Sequence, residues 1–247
     1  MLQRIKQIFQ TQGRREIIKK ALYFPLELCY ILFYALTLDR ISRSLGAERL
    51  VDMVFNGCHG ILRPFQVYSE ILQLALLIEE KKPQTVVEIG TAGGGTLFLF
   101  CRLASQKSRI ISIDLPNGEF GGGYHPWRIP LYKGFASRWQ KLFLLQADSH
   151  SDATSQKVKT ILGESKIDLL FLDGDHSYEG IKKDFNMYCG LVKKGGMIVF
   201  HDIAKTAASA DCKVNMFWDQ IKHQYRNKEL VENKDQTGSG IGIIFYE

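Results

Sequence analysis

From residue 64 onward, short apolar runs alternate with longer amphipathic stretches, and this alternation constrains the fold more than any other feature. "TVVEIG" (85–90), "RIISID" (109–114), "LFLLQAD" (142–148), "IDLLFLD" (167–173) and "GMIVFHD" (196–202) are rich in β-branched residues, Leu and Phe, and are bounded by Gly, Asp or Lys. Helical stretches are expected between them at Gly94–Ser105, Pro130–Gln140, Ser151–Leu162 and Tyr178–Leu191. A weak run near Glu229–Glu232 and a clear one at "GIGIIFY" (240–246) bring the strands to seven. The spacing predicts a doubly wound α/β domain over 64–247, its sheet mostly parallel, behind a helical extension over 1–63.

Charge separates the two parts. Residues 1–63 carry ten Lys/Arg against five Asp/Glu, whereas 64–247 carry 22 against 21. A nearly neutral body excludes a basic stripe across the fold, so no nucleic-acid partner is expected. Within the extension, Ala21–Leu38 is apolar apart from Glu27, Thr37 and tyrosine hydroxyls, with Arg14, Arg15, Lys19 and Lys20 before it and Arg40 and Arg43 after it. Pro25 and Glu27 argue against a membrane span at this length. The expectations for 14–43 are docking on the body, homodimer formation or contact with a membrane surface. The five scattered cysteines form no CxxC pair, which points to neither a zinc knuckle nor a disulfide framework. Together with the missing signal-peptide pattern, this gives a cytoplasmic expectation, peripheral to the inner face of a membrane if the helix meets one.

"VVEIGTAGGGTLFLF" (86–100) is a strand, a glycine turn and a helix start. Such a turn lets backbone approach a ligand beside the amides of a helix N-terminus. A dinucleotide fingerprint would need glycine at 92, where Ala92 stands, and this disfavours a dehydrogenase. Instead Glu88 and Gly90 are followed by Thr91, Gly93, Gly94 and Gly95. The next two strands also end in acids: Asp114, placed to accept from ribose hydroxyls, and Asp148 with Ser149, placed to border an adenine.

The fourth and fifth strands end at Asp173 and at His201–Asp202, on the same edge. Two carboxylates with no Lys or Arg in either motif invite a hard divalent ion, which can position an acceptor hydroxyl. His176, three residues past Asp173, is suited to take that hydroxyl's proton. Asp175 reads as a helix cap near Ser177, and His59, His125, His150 and His223 as structural or surface residues. The insertion 116–129 holds Gly121, Gly122 and Gly123, then Tyr124, Trp127 and Arg128, a composition suited to a lid or a sugar-binding wall.

Glu88, Gly90, Gly93, Asp114 and Asp148 together resemble the class I S-adenosylmethionine-dependent methyltransferases. The resemblance implies a Rossmann-like sheet and a cofactor held by those residues. "FLDGDHSYEGIKKDF" and "LVKKGGMIVFHDI" narrow it to bacterial methyltransferases grouped with macrolide-sugar O-methyltransferases and cephalosporin-hydroxylase-like proteins, and distantly to catechol O-methyltransferase. It implies Asp173 and Asp202 as ligands of Mg2+, His176 as base and a sugar or glycan hydroxyl as acceptor. Those sugar enzymes carry an acid where this chain has His201, which makes His201 a third candidate ligand and leaves one carboxylate fewer, with Mn2+ or no metal at all as the alternatives. A catechol-type small-molecule enzyme and a tethered cofactor-binding protein without turnover are the competing readings.

Overall fold

The computed structural model describes residues 14–115, 124–207 and 209–247, with side chains of the first helix from residue 24 onward. Three helices come first: α1 (Arg14–Ser42), α2 (Ala47–Asn56) and α3 (Tyr68–Lys81). The chain then runs β1 (Thr85–Ile89), α4 (Gly95–Leu103), β2 (Arg109–Asp114), α5 (Ile129–Lys133), β3 (Lys141–Gln146), α6 (Asp152–Leu162), β4 (Ile167–Leu172), α7 (Tyr178–Tyr188), β5 (Val192–His201), α8 (Val214–Ile221), β6 (Arg226–Leu230) and β7 (Ile241–Tyr246).

The strands form one seven-stranded sheet in the order β3-β2-β1-β4-β5-β7-β6. β1 to β5 are mutually parallel, and β7 lies antiparallel between β5 and β6. This is the doubly wound sheet expected from the alternation. Strand order reverses at β1, which pairs with β2 on one side and β4 on the other, and that reversal opens a crevice above the C-terminal strand ends.

Two cores flank the sheet, divided by the two-residue period of the strands. Val86, Ile110, Leu169, Phe171 and Val199 face one way, toward α4 and residues of α1, α2 and α3. Val87, Ile111, Leu170, Ile198 and Phe200 face the other, toward α6, α7 and α8. Both faces are covered, so the central strands read as continuous apolar runs. Ile31, Leu38, Leu50 and Val54 belong to the first core, so the N-terminal helices and the sheet share one apolar interior.

Some element lengths differ from expectation. The helix expected over Pro130–Gln140 ends at Lys133, and Gly134 follows it where α1 passes so close that a Cβ would lie 2.5 Å from the Ala35 carbonyl oxygen. The apolar segment Ala21–Leu38 is the middle of a longer helix that keeps Pro25 inside it. The cap of α7 is Ser177, whose Oγ accepts from the Gly180 amide at 3.0 Å. Asp175 instead accepts from the Ser177 amide and so shapes the turn before the cap.

Candidate active site

The β1–α4 turn is built from left-handed backbone. Gly90 has φ +88°, Ala92 +44° and Gly94 +84°. At Gly90 a side chain is excluded sterically as well, since its Cβ would stand 1.9 Å from the Asp173 carbonyl. One carboxylate oxygen of Asp114, Oδ2, accepts from the amides of Thr91 and Ala92, both at 2.8 Å. Tyr132 donates its hydroxyl to the Ala92 carbonyl at 2.9 Å. The second strand's acid thus sets the shape of the first strand's turn.

Beneath the turn, Glu88 is fully buried. Thr96 donates to its Oε1 at 2.6 Å and Ser112 to its Oε2 at 2.8 Å. Burial pushes the carboxyl up to about 8, partly offset by the hydroxyl hydrogen bonds. Glu88 therefore supports the turn from below and is not part of the cavity wall.

Above the strand ends lies a cavity of about 840 Å³, within the range of small-molecule sites. Gly90, Thr91, Gly93, Asp114, Asp148 and Ser149 line one end, beside the N-terminus of α4. Asp173, His176, His201 and Asp202 line the other. One cavity thus gathers the residues expected to bind a nucleotide-like cofactor and those expected to do chemistry, with Glu88 just below it.

The acidic–imidazole end is tightly knit. His176 Nδ1 stands 2.7 Å from Asp202 Oδ2, and its Nε2 is 3.6 Å from Asp173 Oδ1. His201 Nδ1 is 3.0 Å from Asp173 Oδ1 and 3.6 Å from Asp202 Oδ1. Gln66 donates to Asp173 Oδ2 at 2.6 Å, and the Ser239 amide to Asp202 Oδ1 at 2.9 Å. Asp202 has φ +64°, a left-handed conformation rare outside glycine, in which strained backbone aims a side chain.

Charges follow from these contacts. For Asp202, burial alone would raise the carboxyl, but the His176 hydrogen bond, both imidazolium charges and the Ser239 amide outweigh it and hold it near about 2. His176 is raised to about 10, first by its hydrogen bond to Asp202 and then by Cys212 and the carboxylate charges, against burial. Burial would lower His201, yet the Asp173 charge and hydrogen bond lift it to about 9. Near neutral pH two imidazolium cations therefore face the two acids.

The donor set fits a divalent ion. Ligand atoms of Asp173, His201 and Asp202 all lie within 4.8 Å of one another, as do those of His176, Asp202 and Cys212. Nε2 of buried His201 has no hydrogen-bond partner. Two carboxylates with an imidazole form a softer set than the all-oxygen shell that magnesium favours. Protons on the imidazoles would compete with the ion.

The residues expected of the loop point elsewhere. Tyr124 is buried, its hydroxyl 2.7 Å from Ser112 Oγ and 3.1 Å from Thr91 Oγ1. Trp127 stacks on His125 and meets Phe24 edge-on. Arg128 pairs with Glu27 at 3.1 Å and donates to the carbonyls of Gly93 and Ile61. None of the three lines the cavity. Gly121, Gly122 and Gly123 lie outside the described residues. The wall instead includes Phe65, which is 83% exposed, Gln66, His150 and Cys212. His150 sits 3.3 Å from the buried Asp184 carboxylate, whose hydrogen bond raises its pKa. These four come from irregular segments, and no periodicity in the sequence marks them.

A second hollow of about 920 Å³ lies at the opposite edge of the sheet, lined by Lys82, Lys166, Lys193 and Arg226 among others. Its Asp168 is held by the amides of Gln84 and Thr85 and by Lys193, so it ties strands together. Among the described residues the chemically equipped groups converge on the first cavity.

Comparison with known proteins agrees with this geometry. Residues 87–203 match a family model described as a methyltransferase domain. The fold resembles the O-methyltransferase TomG of Streptomyces achromogenes, solved with S-adenosylmethionine: TM-score 0.52, 14% identity, 83% of this chain and 92% of that one. It equally resembles an O-methyltransferase of Bacillus cereus in complex with S-adenosylhomocysteine: TM-score 0.52, 14% identity, 80% and 90% covered. In sequence the chain is 34% identical over 143 residues to protein R132 of Acanthamoeba polyphaga mimivirus, covering 57% of this chain and 61% of that protein. It is 25% identical over 137 residues to protein y4gI of Sinorhizobium fredii, covering 51% of this chain and 14% of that protein. The matches thus span about three fifths of the first relative and a small part of the second.

Proposed function

We propose, from the match of residues 87–203 to a methyltransferase domain and from the Rossmann-like sheet, that the chain is a class I S-adenosylmethionine-dependent O-methyltransferase, assisted by a divalent ion, acting on a hydroxyl of a sugar or glycan precursor. The observation that carries the reading is the single cavity with the Asp114-held glycine turn at one end and the Asp173–His176–His201–Asp202 cluster at the other.

S-Adenosylmethionine, when bound, supplies an electrophilic methyl carbon, and a divalent ion held by Asp173, Asp202 and His201 would supply Lewis acidity toward the acceptor hydroxyl. The chain's residues do the rest. Asp114 holds the amides of Thr91 and Ala92, and the rigid turn with the α4 N-terminus positions the cofactor's polar groups. Asp148 and Ser149 border the far side. His176 is the proton acceptor: Asp202 orients the ring through Nδ1, and Nε2, which faces Asp173 Oδ1 at 3.6 Å, takes the proton. At its raised pKa the ring is protonated at rest, and it can accept once it has lost that resting proton, as it does when the pH rises; a cation on its carboxylate partners would lower its pKa. Positioning of acceptor and donor in one cavity supplies much of the remaining rate.

The test is transfer of labelled methyl from S-adenosylmethionine into a cell extract with Mg2+, Mn2+ or chelator, followed by phase partition. Label in a glycan or lipid-linked fraction, lost with chelator and with His176→Ala, is the expected result. Cofactor binding with no transfer under all three conditions would refute it.

A further inference from the structure

α1 is apolar on two faces. One face packs Ile31, Tyr34 and Leu38 into the core. The other leaves Leu26, Leu32, Phe33 and Leu36 in solvent, Phe33 55% and Leu36 86% exposed. Half of the exposed large hydrophobic side chains among the described residues sit on this one helix. Solvated helix faces are normally polar, and a contiguous apolar one marks an interaction surface.

Of the helix's described acids, Glu27 pairs with Arg128 at 3.1 Å and Asp39 with Arg102 at 2.6 Å and with Arg43, so neither gives the outward side a net negative charge. Arg14, Arg15, Lys19 and Lys20 precede the apolar stretch, and exposed Arg40 and Arg43 follow it. Both ends are thus basic. A two-fold pairing of two copies along this helix, parallel or antiparallel, would set cations against cations. An anionic lipid surface satisfies both features at once: headgroups meet the basic ends and the interface takes the side chains between them. No helix of the described residues is long and apolar enough to cross a membrane, so the contact lies along the surface.

We infer that the outward face of α1 docks this protein on an anionic lipid surface, with Leu32, Phe33 and Leu36 inserted at the interface. The inference stands independently of the acceptor proposed above.

The experiment is co-sedimentation of the full chain with vesicles of phosphatidylcholine alone or mixed with phosphatidylglycerol, alongside its oligomeric state in solution. Expected is binding to the mixed vesicles only, weakened by salt. Arg40→Ala weakens binding about fivefold, the equivalent of about 1 kcal/mol for one basic side chain at the surface. Combined Leu32→Glu, Phe33→Glu and Leu36→Glu weaken it more than about tenfold. Unchanged affinity for S-adenosylhomocysteine shows that the triple variant is folded; if it does not fold, the Arg40→Ala and salt results decide. Equal binding to both vesicle types, binding to neither, or a dimer that the triple variant dissolves would overturn the inference.

Discussion

Glu88→Gln isolates the cost of keeping a carboxyl under the glycine turn. In the unfolded chain Glu88 titrates near the ordinary carboxyl value of 4.5, whereas in the fold burial raises it to about 8. A raised carboxyl contributes stability that is fully present below the unfolded pKa and declines as pH rises toward the folded one. Between the two values the unfolded state has lost its proton and the folded state keeps it, so each pH unit costs roughly 1.4 kcal/mol. From pH 5 to pH 8 the loss comes to roughly 3 to 4 kcal/mol. Glutamine is nearly isosteric with the protonated acid and can still accept from Thr96 or Ser112, so it should match the wild type near pH 5. Urea unfolding of both proteins at pH 5, 6, 7 and 8 gives the difference curve, in which all other titrations cancel. The expected result is a gain for the variant that grows with pH. Parallel stability profiles would refute the reasoning and place an ionised carboxylate under the turn, held by its hydroxyl partners.

Gly90→Ala should abolish cofactor binding and destabilise the fold by more than the roughly 1–2 kcal/mol of left-handed strain, because its Cβ meets the Asp173 carbonyl; calorimetric titration with S-adenosylhomocysteine and thermal melts check this. His176→Gln should remove methyl transfer while leaving S-adenosylhomocysteine affinity within about twofold, as the residue lies at the other end of the cavity. With the divalent ion present, wild-type transfer should rise with pH as His176 sheds its proton, and a flat profile above pH 7 would remove it as the base. Asp173→Asn should weaken binding of Mn2+ by about tenfold or more, read by calorimetry, and wild-type affinity should rise from pH 6 to pH 8 because binding displaces a proton from the His201 imidazole.

The sheet was legible because its signals are local. Val86 and Val87, or Ile110 and Ile111, announce a strand buried on both faces, and parallel strands bring their C-terminal ends to one edge. The convergence of Asp114, Asp148, Asp173 and Asp202 follows from that alone. The rest of the wall depends on where irregular chain finds partners. Tyr124 turns inward because Ser112 and Thr91 offer hydroxyls, and Arg128 is drawn to Glu27, 101 positions away. Gln66 reaches Asp173 across 107 positions. No periodicity carries such contacts. The surroundings of Glu88 were hidden for a related reason: the sequence shows a strand-borne acid beside a glycine turn, but not that Thr96 and Ser112 enclose it.

The sheet's last two places are filled out of order. β7 sits between β5 and β6, yet it is synthesised after both. While the chain emerges from the ribosome, β5 presents Gly196–His201 as an open edge, and β6 has no neighbour to pair with until Ile241–Tyr246 arrives. Asp202 waits with them, since the amide that steadies its carboxylate belongs to Ser239, just ahead of β7. The acidic–imidazole end of the cavity is therefore completed by a late insertion, and a nascent chain lacking β7 would expose an apolar, unpaired strand to chaperones or to its own copies.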